Sequence, residues 1–474
     1  MSDILSKLID ICGPERVSDK LADRICYTRD CGPSPGGIPS WIVRPTSAAE
    51  VSAVVKVANE YRTPVFIWGR STTFIGNGIR EGCILLALDL MDEIEEIDLD
   101  NKVVIVQPGA VWHAVDVELN KLGWELAVPG PGGMFSCTIG GSVAYNAVPH
   151  GLFEYGMTGQ HVIGLEVVLP DGTILHTGSG ANEAAGHLHF ERYANGPDLT
   201  GLFIGSYGVL GVITKIHFRI RRVPAAEQFA FYGFDRLEDA VDAAQGIQRQ
   251  NAASHLVGLF GGPKPTGYEQ HDAFLPIVVR DSHPAAQERL RVAQAVCETV
   301  GGHPLDGEAT RLYWTGHMYS WLRNTPPAHY YGNRPFMCPE VAGFLPTESV
   351  KDAIHYLRQD AIDHAEEFEH HDIRIKCYDV YFSSNAAFIW IDTLYPELDQ
   401  EAWRYGLALR SRYTDELCRR YMSPGGILQA IAPEVMTKMG AGFEFIKFLK
   451  RSMDPNYVLN PGVLYLEPEV NHGP

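Results

Sequence analysis

No window of the chain approaches 18 consecutive apolar residues, which excludes a helix long and apolar enough to cross a bilayer. The first residues lack a basic segment followed by a long apolar stretch, so no secretory leader is expected. The nine cysteines are scattered and form no CxxC pair. That pattern speaks against a disulfide framework and for reduced thiols, and a cytoplasmic location is expected. Basic residues are outnumbered, 39 Lys and Arg against 58 Asp and Glu, for a net charge of −19. With no clustered basic surface, nucleic-acid binding is excluded and anionic membranes are disfavoured. No repeat or low-complexity tract occurs, and no G-x-G-x-x-G opens a helix, so the Rossmann fingerprint is missing.

What is present is an ordinary globular composition, 45% hydrophobic and 20% charged over 474 residues, enough for two or three cores. Residues 41–45, "WIVRP", read as a strand. Ser47 and Glu50 then stand at capping-box spacing before apolar positions 51, 54, 55 and 58, which recur at helical period. "TPVFIW" closes a β-α-β unit directly before "GRSTTFIGNG". The segment 128–156 is dense in glycine, as a backbone pressed close to a partner requires. "HVIGLEVVLPDGTIL" reads as a hairpin around Pro-Asp-Gly, and 201–222 is a glycine-rich stretch followed by a strand. After Pro224 amphipathic helices alternate with strands. The expected division is residues 1–222, residues 223–440, and a segment 441–474 that ends in a helix and a turn.

The loop after "TPVFIW" raises a chemical question. Successive backbone N–H groups in a turn form an anion-binding concavity that needs no lysine. Gly69, Arg70, Ser71, Thr72 and Thr73 suit such a cradle, and the side chains of the last four add donors.

Six segments, taken in order, carry a family resemblance: residues 44–74, "VQPGAVWHAVDVELNKLG", "TIGGSVAYNA", "YGMTGQHVIGLEVVLPDG", "GPDLTGLFIGSYGVLGVITKIHFRI" and "MDPNYVLNPG". Together they resemble the vanillyl-alcohol oxidase flavoprotein family, whose FAD domain is of the p-cresol methylhydroxylase type. They also resemble the glycolate oxidase and D-lactate dehydrogenase branch. The resemblance implies an α+β fold: a two-part FAD-binding domain with Gly-rich loops, made from 1–222 and 441–474, and an α+β substrate-capping domain over 223–440. It implies FAD as cofactor, with residues 69–73 around the pyrophosphate. Pro131, Gly132, Gly133, Thr138, Gly140 and Gly141 would line the other side, Asn146 the flavin region, and Val212 and Ile213 the adenine side. Positions 69–73 contain no histidine, so covalent linkage through that loop is not implied. Cys137, weighed against a packed small residue, and a histidine or tyrosine of the second domain are the alternative attachment points.

The implied activity is transfer of a hydride from a small hydroxylated organic substrate, a hydroxy acid or alcohol, to flavin N5. A para-substituted phenol oxidase, a non-redox flavin-dependent transferase, and a flavin-binding protein without catalysis remain alternatives. The metal histidines of the hydroxy-acid branch fall on Val380 and Ala387, and its later Glu-His pair on Ile431 and Ala432, so no metal is expected. The phenol branch's aspartate falls on Gln160. Arg323, in "YSWLRNTPP", resembles the arginine that grips a carboxylate. Arg374, Lys376 and Tyr378 share one strand face, with Tyr381 one register on, and either tyrosine could take a hydroxyl proton. Further candidates are His150, Tyr330, Tyr331 and Arg334. His364, His370 and His371 are read as a solvated acidic helix end. The electron acceptor (oxygen, quinone or a protein) is left open, as is a homo-oligomeric state.

Overall fold

The computed structural model describes residues 2–30, 36–73, 76, 79–193, 196–262, 264–265, 267–312, 314–315, 329–331, 334–337, 340–425 and 432–467. Three sheets organise them. The first is built from Val17–Ser18 (β1), Trp41–Val43 (β2), Val65–Trp68 (β3) and Ile84–Ala87 (β4), in the order β1-β2-β4-β3. β2, β4 and β3 run parallel, and their wholly apolar sequences match burial on both faces. The helix Ala48–Tyr61 covers this sheet, presenting Val51, Val54, Val55 and Ala58 inward. Ser47 caps it by accepting from Glu50 N at 3.2 Å. The return half of the capping box is replaced: Glu50 accepts from Thr46 N and pairs with Arg16.

The second sheet comprises Ile94–Asp98 (β5), Val103–Val106 (β6), Trp124–Leu126 (β7), Val162–Val168 (β8), Ile174–His176 (β9) and Val212–Arg222 (β10). Its order is β5-β6-β10-β8-β9, with β7 also on β10. The expected β8–β9 hairpin forms around Gly172, whose φ of +85° only glycine adopts freely.

The third sheet has ten strands, all antiparallel. They are Ala226–Phe234 (β11), His255–Leu259 (β12), Ala273–Asp281 (β13), His303–Leu305 (β14), His329–Tyr331 (β15), Arg334–Met337 (β16), Glu340–Leu345 (β17), Arg374–Phe382 (β18), Ala387–Pro396 (β19) and Ser423–Gly425 (β20). Helices Leu237–Gln250, His283–Thr299, Val350–Asp363 and Gln400–Arg419 bury their apolar stripes in one core with this sheet.

The end of the chain returns to the first two sheets. Leu459 bridges Val65 in parallel, and Asn460 accepts from Ile67 N and donates to Tyr207 O. The return begins ahead of residue 441, because Met436 already packs in the core of the second sheet with Phe443 and Val463. Among the described residues no helix is long and apolar enough to cross a membrane.

Candidate functional site

β3 ends at Trp68, and residues 69–73 have no regular structure. Ser71 lies in the left-handed region at φ +48°. Such a turn aims neighbouring N–H groups to one side. Buried Asp30 holds the far end, accepting from Thr73 Oγ1 at 3.0 Å and Gly76 N at 2.9 Å. Facing this loop, Thr138 caps the helix Ile139–Tyr145 by accepting from Gly141 N at 3.1 Å. A Cβ on Gly69 would stand 2.9 Å from Thr138 Oγ1, and one on Gly140 2.5 Å from Pro108 Cβ. Glycine is required at Gly140 because the Pro108 backbone approaches it, and at Gly69 because the capping Thr138 side chain does.

These loops form one wall of a cavity of about 1370 Å³. That exceeds the roughly 300–1,000 Å³ of an ordinary small-molecule pocket and leaves room for a dinucleotide with a substrate beside it. Gly69, Arg70, Ser71, Thr72, Thr73, Pro131, Gly132, Gly133, Thr138, Gly140, Gly141, Asn146 and Ile213 all line it. Val212 does not. As its neighbour Ile213 faces the cavity, strand alternation turns Val212 into the core beside Val168. Asn146, itself left-handed at φ +55°, accepts from Gly159 N at 3.0 Å. Cys137 is buried against the cradle, and desolvation pushes its thiol up to about 12.

The opposite wall is the third sheet. Tyr381, Asp379 and Cys377 of β18 alternate toward the cavity, as do Phe388, Trp390 and Asp392 of β19. Trp390 Nε1 donates to Asp392 Oδ1 at 2.9 Å. The face expected from the sequence, with Arg374 and Tyr378, is the other one. A bulge between Ile375 and Cys377 shifts the register, and Tyr378 turns into the apolar core against Gly261. Burial raises its hydroxyl pKa. Arg374 is exposed and pairs with Asp372 at 3.0 Å. Neither lines the cavity, which corrects their expected place beside a substrate. Arg323 lies outside the described residues, as do the side chains of Tyr330, Tyr331, Arg334 and Lys376.

His150 is buried and lines the cavity between the two walls. Its ring stands 6.0 Å from His255 and 6.1 Å from Trp314, and His255 is 5.9 Å from Tyr381. Gly151 N donates to His255 Nδ1 at 3.0 Å, so that nitrogen carries no proton. Gln160 is elsewhere, accepting from Met157 N at 2.6 Å on the surface. Val380, Ala387 and Ala432 are buried, and Ile431 is outside the described residues. Asp30, Asp379, Asp392 and Trp390 were not singled out from the sequence. Period-two alternation in "CYDVYF" held the signal for Asp379 and Tyr381, while Asp30 lies 43 residues from its partner Thr73 and left none.

Residues 39–178 match the FAD binding domain family. The glycolate oxidase subunit GlcD of Bacillus subtilis is 31% identical over 52% of this chain and 50% of its own length. A probable mitochondrial D-lactate dehydrogenase of Danio rerio is 32% identical over 67% of this chain and 65% of its own. The matched region thus spans only half to two thirds of these two relatives. The structure of p-cresol methylhydroxylase with substrate bound superimposes at a TM-score of 0.80 with 17% identity, covering 98% of this chain and 97% of that one, and so shares the fold. Fold and site together define an FAD-binding protein. Residues 39–178 carry the FAD binding domain, and the chain as a whole shares the fold of p-cresol methylhydroxylase.

Proposed function

We propose that this chain oxidises a small hydroxylated organic substrate, a hydroxy acid or alcohol, with FAD in the glycine-lined cavity. The observation that carries the reading is the continuity of that cavity, from the Gly69–Thr73 loop to the sheet wall bearing Tyr381. The cradle fits the cofactor. It offers backbone donors, close approach at Gly69 and Gly140, and the Arg70 guanidinium for a pyrophosphate. Bound FAD supplies a two-electron acceptor for the hydride leaving the substrate carbon. The chain's own residues position the substrate and handle its hydroxyl proton. Tyr381 and His150 are the groups assigned to that proton, since both line the cavity at the junction of its two walls. Residues 1–222 with 441–474 would bind the cofactor and 223–440 would cap the substrate. Electrons would pass on to oxygen, a quinone or a protein acceptor.

The second reading, a para-substituted phenol, is favoured by the aromatic wall of Phe344, Phe388, Trp390 and Tyr381. Anaerobic mixing of the flavin-loaded protein with hydroxy acids, alcohols and phenols separates the two. Bleaching of the flavin band by the first two supports the main reading, and bleaching by phenols alone replaces it. A flavin that stays oxidised with all of them removes the oxidoreductase proposal.

A further inference from the structure

The cap carries a second cluster of chemically competent side chains, remote in sequence from every residue of the cavity wall. We propose that Asp235, His271 and His303 bind one divalent transition-metal cation of the zinc class. The three ligands come from separate segments that the sheet brings to one end: Asp235 directly follows β11, His271 precedes β13, and His303 opens β14. The backbone fixes this convergence. Gly233 and His303 are register partners, and Asp272 N donates to Phe234 O at 2.7 Å.

His271 Nδ1 lies 2.9 Å from Asp235 Oδ1, and His303 Nε2 lies 3.5 Å from Asp235 Oδ2. One ligand atom from each residue lies within 4.8 Å of the other two. For a tetrahedral ion with bonds of about 2.0–2.1 Å, neighbouring ligand atoms sit roughly 3.3 Å apart. The two measured pairs bracket that separation, each through a different oxygen of Asp235. The ligand types suit the choice, since two imidazoles and one carboxylate favour zinc-class ions over magnesium or calcium, which prefer oxygen.

His271 is held for this role. Its side chain is 8% exposed, and its ring lies so close over β11 that a Cβ on Gly233 would stand 2.5 Å from Cδ2. Asp235 and His303 are 67% and 53% exposed, which leaves solvent access for the ion and for water in its remaining position. Imidazole nitrogens bind a metal only when deprotonated, so uptake would weaken as pH falls. It would also tie the edge strand β14 to the β11–β13 pair.

A competing cluster is His370, His371 and Glu401. The adjacent rings there have centroids 4.7 Å apart. They are chain neighbours at one helix end, however, and His371 is stacked on Tyr405 at 4.5 Å. It lacks the convergence of three segments.

The test is a Zn2+ titration, near neutral pH, of the full flavin-loaded chain previously stripped with a chelator. Asp235→Asn, His303→Gln and the double variant His370→Gln/His371→Gln are compared with the parent. Two of the proposed ligands are exposed, so their substitutions should leave folding and flavin absorbance intact. One equivalent should be bound by the parent and the double variant, and that equivalent should be missing in Asp235→Asn and His303→Gln. The proposal is overturned if the parent takes up no stoichiometric zinc, or if the equivalent survives in both single variants, or if it disappears only from the double variant.

Discussion

The ammonium of Lys450 lies 2.6 Å from the Asp454 carboxylate, and both side chains are wholly buried. Lys450 also donates to Val209 O at 2.8 Å and Leu459 O at 2.6 Å, while Asp454 accepts from Val458 N and Leu459 N. This network pins the returning segment to the glycine-rich turn before β10. Replacing one member of a buried pair leaves the other charge uncompensated, at a cost of about 3–5 kcal/mol. Lys450→Met should lose that much stability in denaturant unfolding, and an unchanged midpoint would contradict the pinning role.

The close approach at Gly140 makes a second prediction. Its added Cβ would stand 2.5 Å from Pro108 Cβ and 2.7 Å from Pro108 O, so the cradle must open to take it. Gly140→Ala should purify with markedly less FAD than the parent while keeping its far-ultraviolet dichroism. Full flavin content in that variant would argue against the cradle assignment.

Flavin linkage is testable through Cys137. Desolvation raises the thiol to about 12, so the reactive thiolate is scarce near neutral pH. Acid precipitation should release all the flavin into the supernatant. A yellow pellet would show a covalent bond.

Tyr381→Phe removes a cavity-facing hydroxyl and keeps the ring that packs with Leu152, Val257 and Phe388. If Tyr381 manages the substrate proton, flavin reduction in rapid mixing should slow by about 10²–10⁴-fold with FAD content unchanged. A rate within a few-fold of the parent would assign the proton elsewhere.

Acid sensitivity has a local source in the second sheet. His189 lies flat on His217, with ring centroids 3.3 Å apart and planes at 9°. Burial, with neighbouring charges adding to it, lowers His189 to about 4 and His217 to about 2. A histidine depressed in the folded state contributes stability that is full above its ordinary value near about 6.5 and declines as pH falls through that value. Unfolding free energy should therefore drop between about pH 6.5 and pH 4, and more steeply in the parent than in His217→Leu. Parallel curves for the two proteins would remove the stack from the explanation.

The cofactor half was legible in the sequence because backbone loops announce themselves through composition. Glycines, hydroxyls and β-rich runs in a fixed order need no distant partner to be recognised, and the 69–73, 131–133 and 138–141 segments all line the cavity. Strand alternation likewise separated Val212 from Ile213 in principle, since side chains two apart share a face. The substrate wall was legible only in part. Alternation puts Cys377, Asp379 and Tyr381 on one face of β18 and Tyr378 on the other, but which face meets the cavity is decided by the core packed behind the sheet. The sequence by itself determined an α+β fold and an anion-binding cradle, through local propensity and loop chemistry, and its resemblance to a flavoprotein family supplied the cofactor. Only tertiary structure decided that Asp30 closes the cradle, that Tyr381 and not Tyr378 faces the cavity, and that Asp235 meets two distant histidines. Those contacts depend on register and on segments far apart in the chain, which burial of the cores fixes together.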